Sequence, residues 1–485
     1  MGHPLTLARL LLAFLAIVNV YRAATQSITT DEAFTYNRSV TAPIPRLWDD
    51  FDANDHVLHT LMCKASVGLF GLSEFTLRLP SLLGGFLYFW LCLRWSRRLH
   101  GDGRLMLLSV ALLAMNPLLL DFCSIARGYG MASALLLFSF YQLFALPHAG
   151  WRLYAAGLGL ALAVAANLTI LVPGAALAAS YFAIRVLPCA FNQNWPRVRA
   201  RVNEIIDHMV VPATITAFAL LLLPMLPAKR EQFYAGSPDA SFSLISIADA
   251  IFWRPVPAWY GTWFHETMRP AFARAFALGV FPLLLLAIAA VSAILLVRGM
   301  RREPENLDRF LMLGGLTTTL SIAALWFLHT FQNVPYPYRR TGLYFVPLVT
   351  LLSIALFVKF KLRRTGLALA GAVLASFLLS PNVSFYDEWI FDAGTKDIVR
   401  LFRNRENLRL AVSPFVDHTV RFYKHLYGMN GLEVLPAQAG RIAEGDCYLL
   451  TSDNLNVVSE RNLTIRYRHP VALSVFACSA GRSQD

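Results

Sequence analysis

Charged residues are scarce in this chain: they make up 15% of its 485 residues, whereas hydrophobic residues make up 56%. Soluble domains contain about 25% charged residues, so this composition excludes an ordinary soluble domain and indicates a membrane protein. Among the charged residues, acidic ones are fewer: 30 acidic and 43 basic residues give a net charge of +13.

Three further absences narrow the function. The sequence has no glycine-rich phosphate loop, no internal repeat of the kind that builds many transporters, and no metal-ligand spacing among its six cysteines. Cys447 and Cys478 lie in the C-terminal part and are candidates for a disulfide bond in an oxidising compartment. The other four lie in or beside apolar segments and are interpreted as small core residues: Cys63, Cys92, Cys123 and Cys189.

Apolar runs near the length that crosses a bilayer recur from residue 5 to residue 381. The chain therefore divides into a transmembrane domain, residues 1–381, and a tail, residues 382–485. A single re-entrant element in place of a turn near Asn167 would reverse the orientation of everything after it. With that turn, the runs predict eleven spans: 5–23, 79–95, 105–122, 129–147, 153–166, 168–187, 208–227, 273–297, 310–328, 341–358 and 365–381.

The first run also has features of a signal peptide, but no persuasive small-x-small cleavage site follows it, and Ala23-Ala24-Thr25 leads straight into the next loop. We therefore interpret residues 1–22 as a retained first span.

Basic residues cluster in alternate loops. With eleven spans, all five clusters fall on one side of the membrane, which the positive-inside rule makes cytoplasmic. The tail then lies outside the cytoplasm, and with 12 basic and 12 acidic residues it is neutral. The excess positive charge thus reflects orientation in the inner (plasma) membrane and not nucleic-acid binding. The clusters are Arg94, Arg97, Arg98 and Arg104; Arg152; Arg197, Arg199 and Arg201; Arg298, Arg301, Arg302 and Arg309; Lys359, Lys361, Arg363 and Arg364.

The first outer loop contains an ordered set of short motifs: residues 29–36 (TTDEAFTY), 54–56 (NDH), 69–74 (LFGLSE) and 77–81 (LRLPS). This set resembles the N-terminal third of the GT-C glycosyltransferases, the superfamily of protein O-mannosyltransferases and lipid A aminoarabinose transferases. The resemblance implies an all-α transmembrane bundle with interfacial helices in this loop. It also implies transfer of a monosaccharide from a polyprenyl-phosphate donor to an extracytoplasmic glycan, lipid or protein. The sequence leaves the sugar and the acceptor open.

Adjacent carboxylates at the outer edge of a membrane protein are costly unless they have a function. Asp31 is our candidate for the base that takes the acceptor proton, with inversion at the anomeric carbon because no second nucleophile is evident. Glu32 is also assigned to the catalytic group, in a different role, since helical neighbours point about 100° apart. The alternative is that both acids only complement a helix N-terminus, with Thr29 or Thr30 as its cap.

Asp55 and His56 form the second acidic point of this loop. The superfamily commonly has His-Pro-Pro after the acid, and this chain lacks the prolines. We expect these residues to support the acceptor or to bind a divalent metal ion, for which Asp31 would be a further ligand. A solvated acidic loop is the alternative, and no cofactor is certain.

Fixed positive charge is needed to hold a donor phosphate. Arg127 and Tyr129, in a pattern that the superfamily shows between the third and fourth spans, are predicted to line the donor site. The neighbouring glycines Gly128 and Gly130 would let a ligand approach the backbone. An arginine that reaches the lipid headgroups is the alternative for Arg127.

A second cationic point, in the outer loop before the tenth span, resembles a late superfamily motif near the donor phosphate. It comprises Tyr338, Arg339 and Arg340, where the arginines would bind phosphate and the ring would stack on the sugar. The sequence does not distinguish which arginine points inward.

The tail has the pattern of a small α/β domain, with strands at 408–412, 432–435, 447–450, 463–467 and 472–477 and a helix at 417–427. We interpret it as a docking or acceptor-binding domain.

Two other functions compete with the enzyme: a transporter or flippase of lipid-linked sugars, and a non-catalytic membrane scaffold. Notable charges at the outer interface, not at mid-membrane, favour the enzyme.

Overall fold

The computed structural model describes residues 3–44, 52, 56–144, 150–228, 236–252, 273–301, 304–378, 382–438 and 440–479. The membrane part within these ranges is helical. Its α-helices are α1 His3–Thr25, α2 Thr30–Thr35, α3 Val57–Phe70, α4 Glu74–His100, α5 Arg104–Ala114, α6 Pro117–Phe122, α7 Gly128–Phe144, α8 Gly150–Ala166, α9 Leu171–Phe191, α10 Trp195–Ile205, α11 Val211–Met225, α12 Ala240–Phe252, α13 Phe281–Gly299, α14 Asn306–Gln332, α15 Phe345–Lys359 and α16 Arg363–Leu378.

Where the structure describes them, the eleven predicted apolar segments fall mainly on helices. The third of them is divided into α5 and α6, because Asn116 caps a new helix that begins at Pro117. The turn predicted near Asn167 is also present, since α8 ends at Ala166 and the Asn167 side chain caps the next helical turn. Within the described residues, six helices are long and apolar enough to cross a membrane: His3–Thr25, Glu74–His100, Leu168–Phe191, Trp195–Met225, Ala273–Gly299 and Asn306–Gln332.

The chain is therefore a multi-pass integral membrane protein, and the count of eleven spans stays a prediction. Contacts between loops agree with the predicted alternation of charge. Asn192, after the sixth span, donates a hydrogen bond to the carbonyl of Met300 at 3.4 Å, and Lys359 forms an ion pair with Asp308. The loops after spans six, eight and ten, which carry three of the basic clusters, thus meet at one end of the bundle.

The interfacial helix α3 presents two different faces. Its protein-facing side is polar and buried, with His59, Thr60 and Cys63 against the bundle. The apolar side chains of Leu69 and Phe70 are exposed at 76% and 66%. This division suits a helix that rests on a membrane surface.

Two glycines at the start of α7 serve close packing and not ligand approach, contrary to the prediction. A Cβ on Gly128 would lie 2.0 Å from the carbonyl oxygen of Ala166, and one on Gly130 would lie 2.1 Å from that of Phe122. The glycines therefore let α7 contact the backbones of α8 and α6, which fixes the segment that carries Arg127.

The tail forms the predicted α/β domain. Its strands are β1 Leu408–Val412, β2 Leu432–Leu435, β3 Cys447–Leu450, β4 Leu463–Arg468 and β5 Val475–Ser479, and its helices are α17 Thr395–Phe402, α18 Val416–Tyr427 and α19 Asn456–Glu460. The sheet order is β2-β1-β3-β5-β4, with β1 parallel to β2 and β3 and the other pairs antiparallel. Cys447 and Cys478 face each other across β3 and β5 and form the predicted disulfide.

One face of this sheet shares its core with the first outer loop. Buried side chains of α2, among them Ala33, pack in one apolar cluster with Val420 and Phe422 of α18. The tail therefore packs directly against α2 and helps to position it, and α2 carries residues of the site described next.

Candidate functional site

The short helix α2 is fixed at its N-terminus by a capping box. Thr29 is the cap: its hydroxyl accepts a hydrogen bond from the backbone N–H of Glu32, and the Glu32 carboxylate accepts one from the backbone N–H of Thr29 at 2.9 Å. The predicted acidic helix start is therefore present, and it directs the two adjacent carboxylates into different surroundings.

Glu32 lies inside the protein and is fully buried. Its two oxygens accept hydrogen bonds from Nε and Nη2 of Arg78 at 2.8 and 2.7 Å, and one also accepts from the backbone N–H of Ala126 at 2.5 Å. Arg78 is itself fully buried, and it also donates to the carbonyls of Gln26 and Ser27. A bidentate pair of this kind fixes orientation. Glu32 thus anchors α2 to α4, with both carboxylate oxygens bonded to protein groups, and its assignment to the catalytic group stays a prediction.

Asp31 has different surroundings, beside Arg127 and the loop that carries Arg340. Its side chain is 16% exposed, and Oδ2 lies 3.1 Å from Nη2 of Arg340 and 4.0 Å from Nη2 of Arg127. Three segments far apart in sequence therefore meet at this carboxylate. Arg340 forms a close ion pair with Asp31, and Arg127 lies at the outer limit of ion-pair distance.

Arg127 is fully buried, which excludes the alternative of a side chain that reaches lipid headgroups. Its Nη1 donates to the hydroxyl of Thr35 at 3.0 Å and to the backbone carbonyl of Asp31 at 3.4 Å. The guanidinium is thus held against α2 with its charge directed at the site.

Of the two adjacent arginines in the late motif, Arg340 points inward. Its Nη1 pairs with Glu388 at 3.0 Å, and its guanidinium lies over the Trp389 ring at 5.1 Å. Burial disfavours the charge, but Tyr129, Asp31 and Glu388 outweigh that effect and raise the pKa of Arg340. The side chain therefore stays charged at any physiological pH.

Arg339 and Tyr338 are exposed and pack on each other, with the guanidinium 5.8 Å from the ring centroid. The backbone of Arg339 is left-handed, with φ of +47°, and this turn directs the two arginines apart. Within the described part of the chain, neither Arg339 nor Tyr338 pairs with Asp31, and their part in donor binding stays a prediction.

The tail contributes two carboxylates that the sequence analysis missed. Asp392 accepts hydrogen bonds from the backbone N–H and the hydroxyl of Thr30, at 2.6 and 3.0 Å, and so holds the first residue of α2. Glu388 is the second partner of Arg340. Burial raises the pKa of each of these two groups, most strongly for Asp392.

A cavity of about 270 Å³ lies beside this cluster, and its lining includes His56 and Tyr129, which interact electrostatically with Arg340. Their rings meet edge to face at 4.8 Å. Burial, followed by the charge of Arg127, lowers the pKa of His56 far below its usual value, so the imidazole is neutral and is not a proton donor at neutral pH. Most of the remaining lining is apolar: Leu168, Leu171, Val172, Leu325, Leu328, Val334, Pro335, Pro337 and Tyr344.

The predicted partner of His56 lies outside the described residues, since Asp55 belongs to the segment 53–55. Among the residues that are described, no three His, Cys, Asp or Glu side chains lie close enough together to hold a metal ion. A role for Asp55 stays a prediction.

A sequence signal existed for some of the missed residues. Arg22 and Asp121 are charged residues at the ends of apolar runs, where unpaired charge is costly. They form a buried ion pair, and Asp121 also accepts a hydrogen bond from the backbone N–H of Asp387 at 3.1 Å. An acidic and aromatic stretch directly after the last span, Tyr386 to Trp389, was a comparable signal for the point where the tail docks.

No protein-family model and no curated protein matches the sequence. Solved structures match over most of its length. ArnT from Cupriavidus metallidurans in the apo state is 14% identical over 96% of this chain and 97% of that chain, with a TM-score of 0.41. The same protein bound to undecaprenyl phosphate is 13% identical over 98% of this chain and 98% of that chain, with a TM-score of 0.41. Archaeal oligosaccharyltransferase AglB from Archaeoglobus fulgidus, in complex with an inhibitory peptide and a dolichol-phosphate, is 13% identical over 88% of this chain and 64% of that chain. Its TM-score is 0.43.

ArnT, a lipid A aminoarabinose transferase, and AglB are GT-C fold glycosyltransferases, the group that the motifs of the first outer loop resemble. These values describe a distant similarity in fold, and no activity follows from it.

Proposed function

We propose that the chain is an integral membrane glycosyltransferase that moves one monosaccharide from a polyprenyl-phosphate donor to an extracytoplasmic acceptor, with inversion at the anomeric carbon. The observation that supports this most is a single carboxylate, Asp31, that lies 3.1 Å from Arg340 and 4.0 Å from Arg127. A base beside two fixed cations is what glycosyl transfer from a phosphate leaving group requires.

The proposed reaction uses these groups in one displacement step. Asp31 takes the proton of the acceptor hydroxyl while the acceptor oxygen attacks the anomeric carbon. The bond between that carbon and the phosphate oxygen breaks, and the phosphate leaves with the electron pair. Arg127 and Arg340 stabilise the charge that develops on the phosphate. Atoms and charge balance without a further reactant.

The cavity beside the cluster suits the donor lipid. Its lining is mostly apolar, with His56, Tyr129 and a few amide and hydroxyl groups at its polar positions. A prenyl chain would gain from burial there at roughly 25 cal/mol per Å² of apolar surface. Tyr129 borders the cavity and also acts on the charge of Arg340, so the lipid chain and the phosphate would occupy adjacent places.

The remaining predicted groups take supporting parts. Glu32 acts as a positioning residue through Arg78, and Arg339 and Tyr338, which are exposed, could contact the sugar or lipid headgroups at the entrance. The site and the tail would lie on the extracytoplasmic side of the inner membrane, as the positive-inside rule indicates. Asp55, together with Asp31 or His56, is the candidate ligand set for a divalent ion.

The test is a transfer assay with purified protein in lipid nanodiscs. Labelled polyprenyl-phosphate sugars are offered with lipid, glycan or peptide acceptors, with and without a chelator. Formation of a labelled product with the anomeric configuration inverted supports the proposal. Movement of the lipid-linked sugar across a vesicle membrane without bond cleavage would instead identify a flippase, and loss of product with chelator would establish metal dependence.

A further inference from the structure

The tail places a carboxylate directly on the arginine that faces Asp31. Glu388, in a helical turn that covers Asp387–Asp392, pairs with Nη1 of Arg340 at 3.0 Å while Nη2 of the same guanidinium pairs with Asp31 at 3.1 Å. Both ends of the guanidinium fork are therefore occupied by carboxylates. An incoming phosphate that binds Arg340 must take over at least one of these contacts.

Glu388 is the partner more easily displaced. Its side chain is only 7% exposed, and Oε1 is buried without a hydrogen-bond partner among the described residues. A buried carboxylate with an unsatisfied oxygen is costly in its charged form. Oδ2 of Asp31 also lacks a hydrogen-bond partner among the described residues, but the Asp31 side chain is 16% exposed, so its charge is better solvated than that of Glu388.

We propose that Glu388 competes with the donor phosphate for Arg340, so that it sets the affinity of the site for anionic lipid and makes that affinity fall as pH rises. Glu388 is in this view a positioning residue, which acts on the donor only through Arg340. The inference rests on the proposed function, because it assumes that the site takes a lipid phosphate.

The charged groups around Glu388 fix the sign of the effect. Arg340 and Arg339 face it from one side and favour its charge, whereas burial and the charge of Asp31 oppose it, and the net result is a raised pKa. A bound phosphate would bring a second negative charge to Arg340 and would raise the pKa of Glu388 further. Affinity is therefore highest below the pKa of the free site and falls as pH rises between the free and the bound values.

The test measures binding of a polyprenyl methyl phosphate, a phosphodiester, to the full-length protein in phosphatidylcholine nanodiscs. A diester keeps one charge throughout, whereas a monoester changes its own charge near pH 6. In the wild type we expect affinity to fall roughly tenfold between about pH 5 and pH 9, at most a factor of ten per pH unit. In Glu388→Gln the affinity should stay at its high value throughout.

Two further variants act as controls. Glu388→Asp keeps the carboxylate and should keep the pH dependence, and Glu406→Gln makes the same chemical change at an exposed position of the tail. A Glu388→Gln curve that runs parallel to the wild type, or that shows weaker binding at every pH, would overturn the inference.

If Glu388→Gln unfolds, the wild-type curve is still decisive, since affinity that does not change with pH also overturns the inference. Failure of the proposed function has a different signature. The wild type would then bind the phosphodiester no better than the uncharged polyprenol at any pH.

Discussion

Arg340 lies 3.1 Å from Asp31, and the contact joins the first outer loop to the loop before α15. Without substrate, Oδ2 of Asp31 is engaged in the ion pair with Arg340 and is not free to accept a proton. If the donor phosphate takes the place of Glu388 on Nη1, it shares the charge of Arg340, which weakens the hold of Nη2 on Asp31 and lets Oδ2 accept a hydrogen bond from the acceptor hydroxyl. The ion pair would thus couple donor binding to activation of the base, and its parts can be tested separately.

Adjacent arginines provide a matched pair of variants. Arg340→Ala should weaken binding of polyprenyl phosphate roughly 10- to 100-fold, because a hydrogen bond to a charged group is worth about 1.5–3 kcal/mol. Arg339→Ala removes the same charge from an exposed side chain and should change the affinity by less than about threefold. Binding to nanodisc-embedded protein measures both. Equal losses in the two variants would contradict the assignment of the inward role to Arg340.

The buried pair of Glu32 and Arg78 should govern folding more than chemistry. Glu32→Ala leaves a buried guanidinium without its partner and should lower the free energy of unfolding by about 3–5 kcal/mol. Unfolding in detergent, followed by intrinsic fluorescence, measures this loss. A double-mutant cycle with Glu32→Ala, Arg78→Ala and the double variant then measures the coupling between the two residues. Additive losses would show that the two residues are not coupled.

Asp392 should matter for the placement of the base. Asp392→Ala removes two hydrogen bonds to Thr30, at 2.6 and 3.0 Å, that hold the start of α2. We expect the turnover number to fall about tenfold with little change in donor affinity, since misplacement of a base weakens only the chemical step. Asp453→Ala, at an exposed tail position, is the control. A loss of donor affinity with unchanged turnover would contradict this role.

The disulfide gives a test of orientation. Cys447 and Cys478 should be oxidised in cells if the tail is extracytoplasmic. A thiol reagent that does not cross membranes should label the tail of intact spheroplasts only after reduction. The Cys447→Ser/Cys478→Ser variant should lose about 2–4 kcal/mol of stability. Free thiols in the freshly isolated protein would place the tail in a reducing compartment.

Much of the architecture could be predicted from the sequence. Apolar run lengths predict the helices, and short apolar runs between turn residues predict the strands of the tail: β1, β2 and β3 have the predicted bounds, while β5, Val475–Ser479, begins three residues late. These features depend on local pattern and on the hydrophobic effect, both of which are written in short stretches of sequence.

The site could be predicted only in part. Asp31 and Arg127 belong to recognisable motifs, whereas Glu388 and Asp392 reach the site because the tail folds back onto α2. The choice between Arg339 and Arg340 depends on a left-handed backbone angle at residue 339, which no residue type there predicts. Contacts between distant segments follow from tertiary packing, and a local pattern does not encode them.

The central claim is that Asp31 is the base of a sugar-transfer reaction. Asp31→Asn keeps the size of the side chain and removes its proton affinity, and transfer from labelled polyprenyl-phosphate sugar should fall about 10²- to 10⁴-fold while unfolding temperature and donor affinity stay near those of the wild type. Wild-type turnover in a folded Asp31→Asn protein would contradict the account.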